Sequence, residues 1–146
     1  MTASCLRPHK HRVFYISNIM KKILVTYADK NPALIISQSE LIKESKPYFD
    51  DFASFSLKDI DEVFYKKNEH ILKQNKGVGY WLWKPYLIKK TMEKMNDGDI
   101  LLYLDSGCEV DIKKKQIISD YFEIVKNNYI IGSPYSSNGS LIETER

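Results

Sequence analysis

The feature that most restricts the possible folds is the apolar run from Ile100 to Leu104. Asp97-Gly98-Asp99 precedes this run and Asp105-Ser106-Gly107 follows it, and both segments are typical of turns. A near-continuous apolar run between turn residues is typical of a strand that is buried on both faces, as strands of parallel sheets are. The sequence therefore predicts a strand over residues 99–104 at the centre of a parallel sheet.

The rest of the chain alternates predicted strands and helices. Strands are predicted over residues 22–27, 51–55 and 129–132, and helices over residues 33–46, within 57–74, from Pro85 to about residue 95 and over 111–126. Residues 76–84 are expected to form a loop because they contain Gly77 and Gly79. This order predicts an α/β fold in which a mostly parallel sheet carries helices on both faces.

The first predicted helix illustrates the periodicity on which these predictions rest. Its apolar residues fall at three-, four- and seven-residue spacings and are expected to face the core: Leu34, Ile35, Leu41 and Ile42. Pro32 can occupy its first turn, and Pro47 is expected to stop it.

Length and charge indicate one domain with a balanced surface. The chain has 146 residues and a net charge of +3, and all three surplus charges lie in residues 1–19, which hold three basic residues and no acidic one. From Met20 onward 19 basic residues face 19 acidic ones, so the clustered basic face of a nucleic-acid-binding protein is not expected. Residues 1–19 are interpreted as a leader outside the fold, and residues 20–146 as the domain.

The cysteine content and the lack of a long apolar segment predict the cellular compartment. Two cysteines make no disulfide framework, which favours a reducing, cytoplasmic location. The apolar stretch at residues 13–16 is too short for a signal peptide, and no transmembrane segment is predicted.

The turn after the predicted central strand is the first candidate site, because ligands of open α/β sheets bind beyond the carboxyl ends of the strands. The Asp105 carboxylate can hold a divalent cation or accept a hydrogen bond from a ribose hydroxyl. Gly107 permits a positive φ and a close approach of ligand to backbone. The alternative is that Asp105 caps the turn and Gly107 merely closes it.

A second candidate site is the aromatic segment Gly77-Val78-Gly79-Tyr80-Trp81-Leu82-Trp83-Lys84-Pro85. A flat aromatic ring there can stack on a nucleobase or a sugar, and Lys84 adds a cation before a helix start. Alternatively, Trp81 and Trp83 lock the loop onto the core. Of the remaining candidates, His70 is expected to be a surface histidine and Cys108 a small buried residue.

The two segments together, Gly79 to Pro85 and Asp97 to Glu109, resemble GT-A-type glycosyltransferases of the nucleotide-diphospho-sugar transferase superfamily. The resemblance implies a Rossmann-like fold, a nucleotide-sugar donor of the UDP type, and a glycan or other hydroxyl acceptor. It also implies Mn²⁺ or Mg²⁺ at an Asp-x-Asp motif, whose first Asp matches Asp105, whereas Gly107 stands in place of the second. Asp105 and Glu109 are the candidate metal ligands.

The resemblance further implies which residues contact the donor: Thr26, Tyr27, Trp81, Lys84, Asp105, Ser106 and Gly107. It covers residues 22–132, and because GT-A domains are longer, the chain is expected to be truncated before the acceptor and catalytic parts. The function expected from these features is sugar transfer from a nucleotide-diphosphate donor to a hydroxyl acceptor. The alternative is a non-catalytic remnant that binds a glycan or a nucleotide.

Overall fold

The computed structural model describes residues 20–111, 113 and 115–128. Within them lies a three-stranded parallel sheet of order β2-β1-β3, formed by β1 (Lys22–Tyr27), β2 (Asp51–Phe55) and β3 (Ile100–Tyr103). The helices are α1 (Pro32–Ser45), α2 (Glu62–Lys67), α3 (Glu69–Leu72), α4 (Gly77–Tyr80), α5 (Trp83–Met92) and α6 (Lys115–Asn128), with a 3₁₀ turn at Leu57–Asp59. The predicted leader, the predicted strand over residues 129–132 and the tail after it lie outside the described residues.

The central strand of the described sheet is β1 and not β3. Residues 23–27 are each less than a tenth exposed, as a strand between two neighbours and two helical layers must be. In β3, Ile100 is buried and the next three residues are half-buried, and β1 is its partner within the described sheet. The prediction of a strand here is confirmed, and within the described residues β1 is the strand that lies between two neighbours.

Two apolar clusters show that helices cover both faces of the sheet. Successive strand side chains alternate between faces, so Leu24 packs in one cluster and Tyr27 in the other. The Leu24 cluster includes Leu41 of α1 and Phe122 of α6, and the Tyr27 cluster includes Leu87 of α5. The predicted α/β architecture, a parallel sheet flanked by helices, is therefore confirmed for the described residues.

Helix α1 begins where the sequence predicts and is only partly covered. Asn31 caps it by accepting a hydrogen bond from the N–H of Ala33, with Pro32 as its first residue. Leu41 is 1% exposed, but Leu34 and Ile35 are 39% and 47% exposed. The predicted stripe is therefore wrong in its first half, because none of the described elements covers the start of α1.

Helix α6 confirms the helix predicted over residues 111–126, although it starts later. Phe122 is buried, Ile118 and Val125 are half-buried against the same cluster, and Ile117 and Tyr121 are exposed. None of the helices in the described ranges combines the length and the apolarity that crossing a bilayer requires.

The segment before α5 differs most from the prediction. Helix α5 starts at Trp83, two residues before Pro85, which its first turn tolerates because the N–H groups there have no helical partner. Residues 77–81, predicted as loop, include α4 and form a left-handed turn, not a right-handed helix, because all five residues have φ between +49° and +87°. For Val78, Tyr80 and Trp81 this conformation costs about 1–2 kcal/mol per residue.

Candidate functional site

The parallel pairing of β1 with β3 brings the predicted site residues to one edge of the sheet. Val25 pairs with Tyr103, and the N–H of Leu104 donates to the carbonyl oxygen of Val25 at 3.0 Å. Asp105 therefore leaves the sheet beside the carboxyl end of the central strand, where ligands of open α/β sheets bind.

Lys84, at the start of α5, reaches this edge and pairs with Asp105. Its Nζ lies 3.0 Å from Oδ1 and 3.4 Å from Oδ2 of the carboxylate. The hydroxyl of Tyr103 donates to the same Oδ1 at 2.8 Å, and the ammonium also lies 4.7 Å from the centre of the Tyr103 ring. Lys84 and Asp105, 21 positions apart in the sequence, thus belong to one polar cluster. Tyr103 is the third member of this cluster, and the sequence did not predict it.

The electrostatics of this cluster hold Tyr103 protonated. Burial is the main cause of its raised pKa, and the hydrogen bond to Asp105 and the charge of that carboxylate raise the pKa further. Because the side chain of Asp105 is 63% exposed and that of Lys84 30% exposed, solvent weakens their attraction, and the pair contributes at most about 1 kcal/mol to stability. A ligand can therefore separate the two groups at a small cost in free energy.

Beneath the cluster lies an aromatic floor built from Tyr27 and Trp83. Their rings stack with centroids 3.8 Å apart, and Trp83 is 5% exposed. The Trp83 indole N–H donates to the carbonyl oxygen of Gly77 at 3.2 Å. Trp83 therefore locks the preceding turn onto the core, which is one of the two roles that the sequence left open for it.

Tyr27 itself has an incompletely satisfied polar end. Burial raises its pKa, with smaller contributions from the charges of Asp29 and Asp59. Its hydroxyl and Oδ2 of Asp29 are both buried, and each lacks a hydrogen-bond partner among the described residues. Each such atom costs free energy unless a partner reaches it.

The other predicted donor contacts have mixed placements. Thr26 is fully buried and Ser106 is 5% exposed, so neither side chain faces solvent. Gly107 is exposed, and a Cβ added to it would meet no atom within 4 Å. Its φ lies outside the positive range that Gly77, Gly79 and Gly98 adopt, so this backbone does not use the positive φ that a glycine permits.

The described carboxylates do not fit a divalent cation at Asp105 and Glu109. Such a cation requires several oxygen ligands, and Asp105 is already paired with Lys84. No group of three or more His, Cys, Asp or Glu side chains in the described part of the chain could hold a metal ion. Glu109 instead lines a cavity of about 510 Å³ with Glu44, Val110, Asp111 and Lys113.

Three remaining predictions concern exposure. Trp81 is 47% exposed and thus accessible to a ligand, and His70 is exposed, as expected. Cys108 is exposed, so its predicted burial was wrong. It follows Gly107 in a turn that its own N–H closes by donating to the carbonyl oxygen of Asp105 at 2.9 Å, which holds it at the surface.

A second cavity, of about 550 Å³, lies between α2 and α5 and was not predicted. Phe64 and Tyr86 stack along it with ring centroids 4.0 Å apart. The hydroxyl of Tyr86 donates to Asp61, and this bond is the main cause of the lowered pKa of that carboxyl. Asp61 also caps α2 through the N–H of Phe64, which gives it a structural role.

Comparisons of the chain with protein-family models, curated proteins and solved structures returned no match. The resemblance to GT-A-type glycosyltransferases therefore depends on the two sequence segments that carry it. What the described geometry adds is independent of that resemblance: an accessible ammonium and carboxylate at the carboxyl edge of a parallel sheet, above a buried aromatic floor.

Proposed function

We propose that the chain binds a nucleoside diphospho-sugar at the carboxyl edge of β1 and β3, as the donor-binding part of a GT-A-type glycosyltransferase. The observation that carries the proposal is the Lys84 and Asp105 pair, which places a cation and a hydrogen-bond acceptor together at this edge. A nucleoside diphosphate needs both, because its phosphates require positive charge and its ribose hydroxyls require an acceptor.

Each residue of the cluster has a separate role in this proposal. Lys84 exchanges its carboxylate partner for the diphosphate, and Asp105, released from the ammonium, accepts hydrogen bonds from the ribose. Tyr103, whose raised pKa keeps the hydroxyl protonated even well above neutral pH, continues to donate to Asp105 and holds the carboxylate in place. Trp83 and Tyr27 support the cluster from below without touching the ligand.

The reaction class that follows is sugar transfer to a hydroxyl. The acceptor oxygen attacks the anomeric carbon, the bond from that carbon to the diphosphate oxygen breaks, and the acceptor proton leaves to a base or to solvent. Charge accumulates on the departing diphosphate, and Lys84 is the described cation positioned to stabilise it. In this proposal the ammonium takes the part that the resemblance gives to Mn²⁺ or Mg²⁺.

The test is calorimetric titration of UDP into the wild type, Lys84→Met and Asp105→Ala, in EDTA and again with Mn²⁺. We expect binding in EDTA and a loss of about tenfold or more in Lys84→Met, since a hydrogen bond to a charged group contributes about 1.5–3 kcal/mol. Lys73→Met is the matched control, because Lys73, directly after α3, also forms an ion pair, with Glu69 at 2.8 Å. Equal UDP affinity in Lys84→Met and Lys73→Met would refute the site.

A non-catalytic glycan-binding protein is the second candidate function. The exposure of Tyr80 and Trp81, 55% and 47%, favours it, because exposed aromatic rings are suited to stacking on sugars. Glycan binding without any UDP binding would favour this function over sugar transfer.

A further inference from the structure

The left-handed turn at residues 77–81 is the most unusual backbone in the described part of the chain. Left-handed conformations normally occur at single residues, and mostly at Gly, Asn or Asp. Here five residues in succession adopt one, and three of them, Val78, Tyr80 and Trp81, are bulky. Persistent strain of this kind requires surroundings that hold the conformation, and such strain is common where a segment serves a function.

Several contacts hold this turn in place. The N–H groups of Tyr80 and Trp81 donate to the carbonyl oxygens of Lys76 and Gly77 at 2.8 and 3.1 Å, which closes the left-handed turn. The N–H of Gly79 donates to the carbonyl oxygen of Gln74 at 2.8 Å, and Trp83 binds the carbonyl oxygen of Gly77 from the core side. The turn is therefore anchored to the aromatic floor.

The consequence is a fixed position for the indole of Trp81. A Cβ added to Gly77 would lie 2.5–2.9 Å from three atoms of the Trp81 ring, so the ring packs directly over the Gly77 backbone. A side chain at position 77 would displace it. With one side of the ring supported by Gly77 and 47% of the residue exposed, Trp81 presents a rigid apolar surface to solvent.

The neighbouring side chains indicate which ligand suits this surface. Residues 74–82 contain one charged side chain, Lys76, together with the amides Gln74 and Asn75. Asn75 and Lys76 are exposed beside the turn, and an amide both donates and accepts hydrogen bonds, as a sugar hydroxyl does. An aromatic surface with adjacent amides and little charge suits an uncharged polyhydroxylated ring better than it suits a diphosphate.

We propose that the left-handed turn is a preformed glycan-binding platform, on which a pyranose ring stacks against Trp81 while Tyr80 and Asn75 contact neighbouring parts of the glycan. Naming this glycan as the acceptor of sugar transfer rests on the proposed function, whereas its binding to the turn does not. The strained backbone lowers the entropic cost of binding, because Trp81 is held in place before the ligand arrives.

The experiment uses three neutral hexasaccharides, cellohexaose, maltohexaose and chitohexaose, titrated into the full chain without nucleotide. Binding to the wild type and to every variant is measured by calorimetric titration, and in the wild type also by protection of Trp81 from acrylamide, since Trp83 is buried. We expect at least one hexasaccharide to bind saturably and Trp81→Ala to weaken it about 2- to 10-fold, the size of an aromatic stacking contact. Trp81→Phe, which keeps a ring, should recover part of the loss.

Controls separate this proposal from the donor site and from misfolding. Tyr121→Ala removes an exposed aromatic side chain from α6 and should leave hexasaccharide binding unchanged. Lys84→Met should weaken UDP binding and keep hexasaccharide binding, whereas Trp81→Ala should weaken hexasaccharide binding and keep UDP binding, which also shows that both variants fold. Absence of binding by all three sugars, or unchanged sugar binding in Trp81→Ala, would overturn the proposal.

Discussion

Alanine substitutions at three glycines separate two sources of strain in this fold. Gly79 has a φ of +87°, and a Cβ added to it would lie 2.5 Å from Cα of Leu72. Gly98 has a similar φ of +92° with no atom within 4 Å of its added Cβ, and Gly107 has open space without a positive φ. Gly79→Ala therefore tests backbone strain together with a steric clash, Gly98→Ala tests backbone strain alone, and Gly107→Ala tests neither.

The expected magnitudes follow from these differences. Every Gly→Ala change gains about 0.4–1 kcal/mol because the unfolded chain loses freedom. For Gly107→Ala that gain is the whole expected effect. Gly98→Ala loses about 1–2 kcal/mol to the left-handed backbone, which leaves a net destabilisation of up to about 1.5 kcal/mol. Gly79→Ala adds about 1–3 kcal/mol of overpacking against a backbone atom that cannot move aside cheaply, so we expect a net loss of about 1–4.5 kcal/mol.

The assay is urea unfolding of the wild type and the three variants, followed by circular dichroism so that changes near the tryptophans do not affect the signal. The urea concentration at the unfolding midpoint is expected to decrease in the order Gly107→Ala, wild type, Gly98→Ala, Gly79→Ala. The dependence of the unfolding free energy on urea concentration should be the same for all four proteins. A Gly98→Ala variant as unstable as Gly79→Ala would show that the contact with Leu72 contributes nothing. A stable Gly79→Ala variant would refute the left-handed turn itself.

Three further predictions concern stability. Lys30 is exposed at φ +59°, so Lys30→Gly should raise the free energy of unfolding by up to about 1 kcal/mol, whereas Lys30→Ala should not; urea unfolding distinguishes them. Asp99 accepts hydrogen bonds from the N–H groups of Lys21 and Asn96, which lower its pKa in the folded state below the ordinary 3.8. The stabilisation of the fold by the ionised Asp99 is present above pH 3.8 and is lost as the pH falls through the lower folded-state pKa. The difference in unfolding midpoint between the wild type and Asp99→Ala should therefore shrink on acidification. An unchanged difference would contradict this. Trp83→Ala removes a buried ring that stacks on Tyr27 and should cost about 3–5 kcal/mol in thermal or urea unfolding, against less than 1 kcal/mol for the exposed Tyr121→Ala.

The architecture could be predicted because its signals are local. Residues 22–27 form a continuous buried run, and Asn31-Pro32 combines a cap with a first-turn proline, so β1 and α1 were predicted within one residue of their observed bounds. The order of strands in the sheet could not be predicted in the same way. An apolar run such as residues 100–104 indicates that both faces of a strand are covered, but hydrophobicity does not reveal which strands are its neighbours.

The candidate site could be predicted in part for a related reason. Asp105 and Lys84 are polar residues placed directly after a strand and beside a helix start, which sequence patterns reveal. Their pairing, and the hydrogen bond from Tyr103, depend on how α5 lies against β3, which no short-range pattern encodes. The left-handed turn was missed because Gly77 and Gly79 predict flexibility, whereas here they permit one fixed backbone conformation.

Gly107 stands where the resemblance to GT-A-type transferases implies a second acid, and this difference and the position of Lys84 are connected by charge. Two carboxylates at the end of β3 would repel each other and would attract a divalent cation to this edge. With Asp105 alone, one ammonium neutralises the carboxylate, and the ion pair is exposed enough to open at small cost. A double variant, Lys84→Met with Gly107→Asp, should therefore exchange one mode of binding for the other. We expect its UDP binding to be weak in EDTA and to recover with Mn²⁺, whereas recovery without Mn²⁺ would show that positive charge at this edge is not what the diphosphate requires.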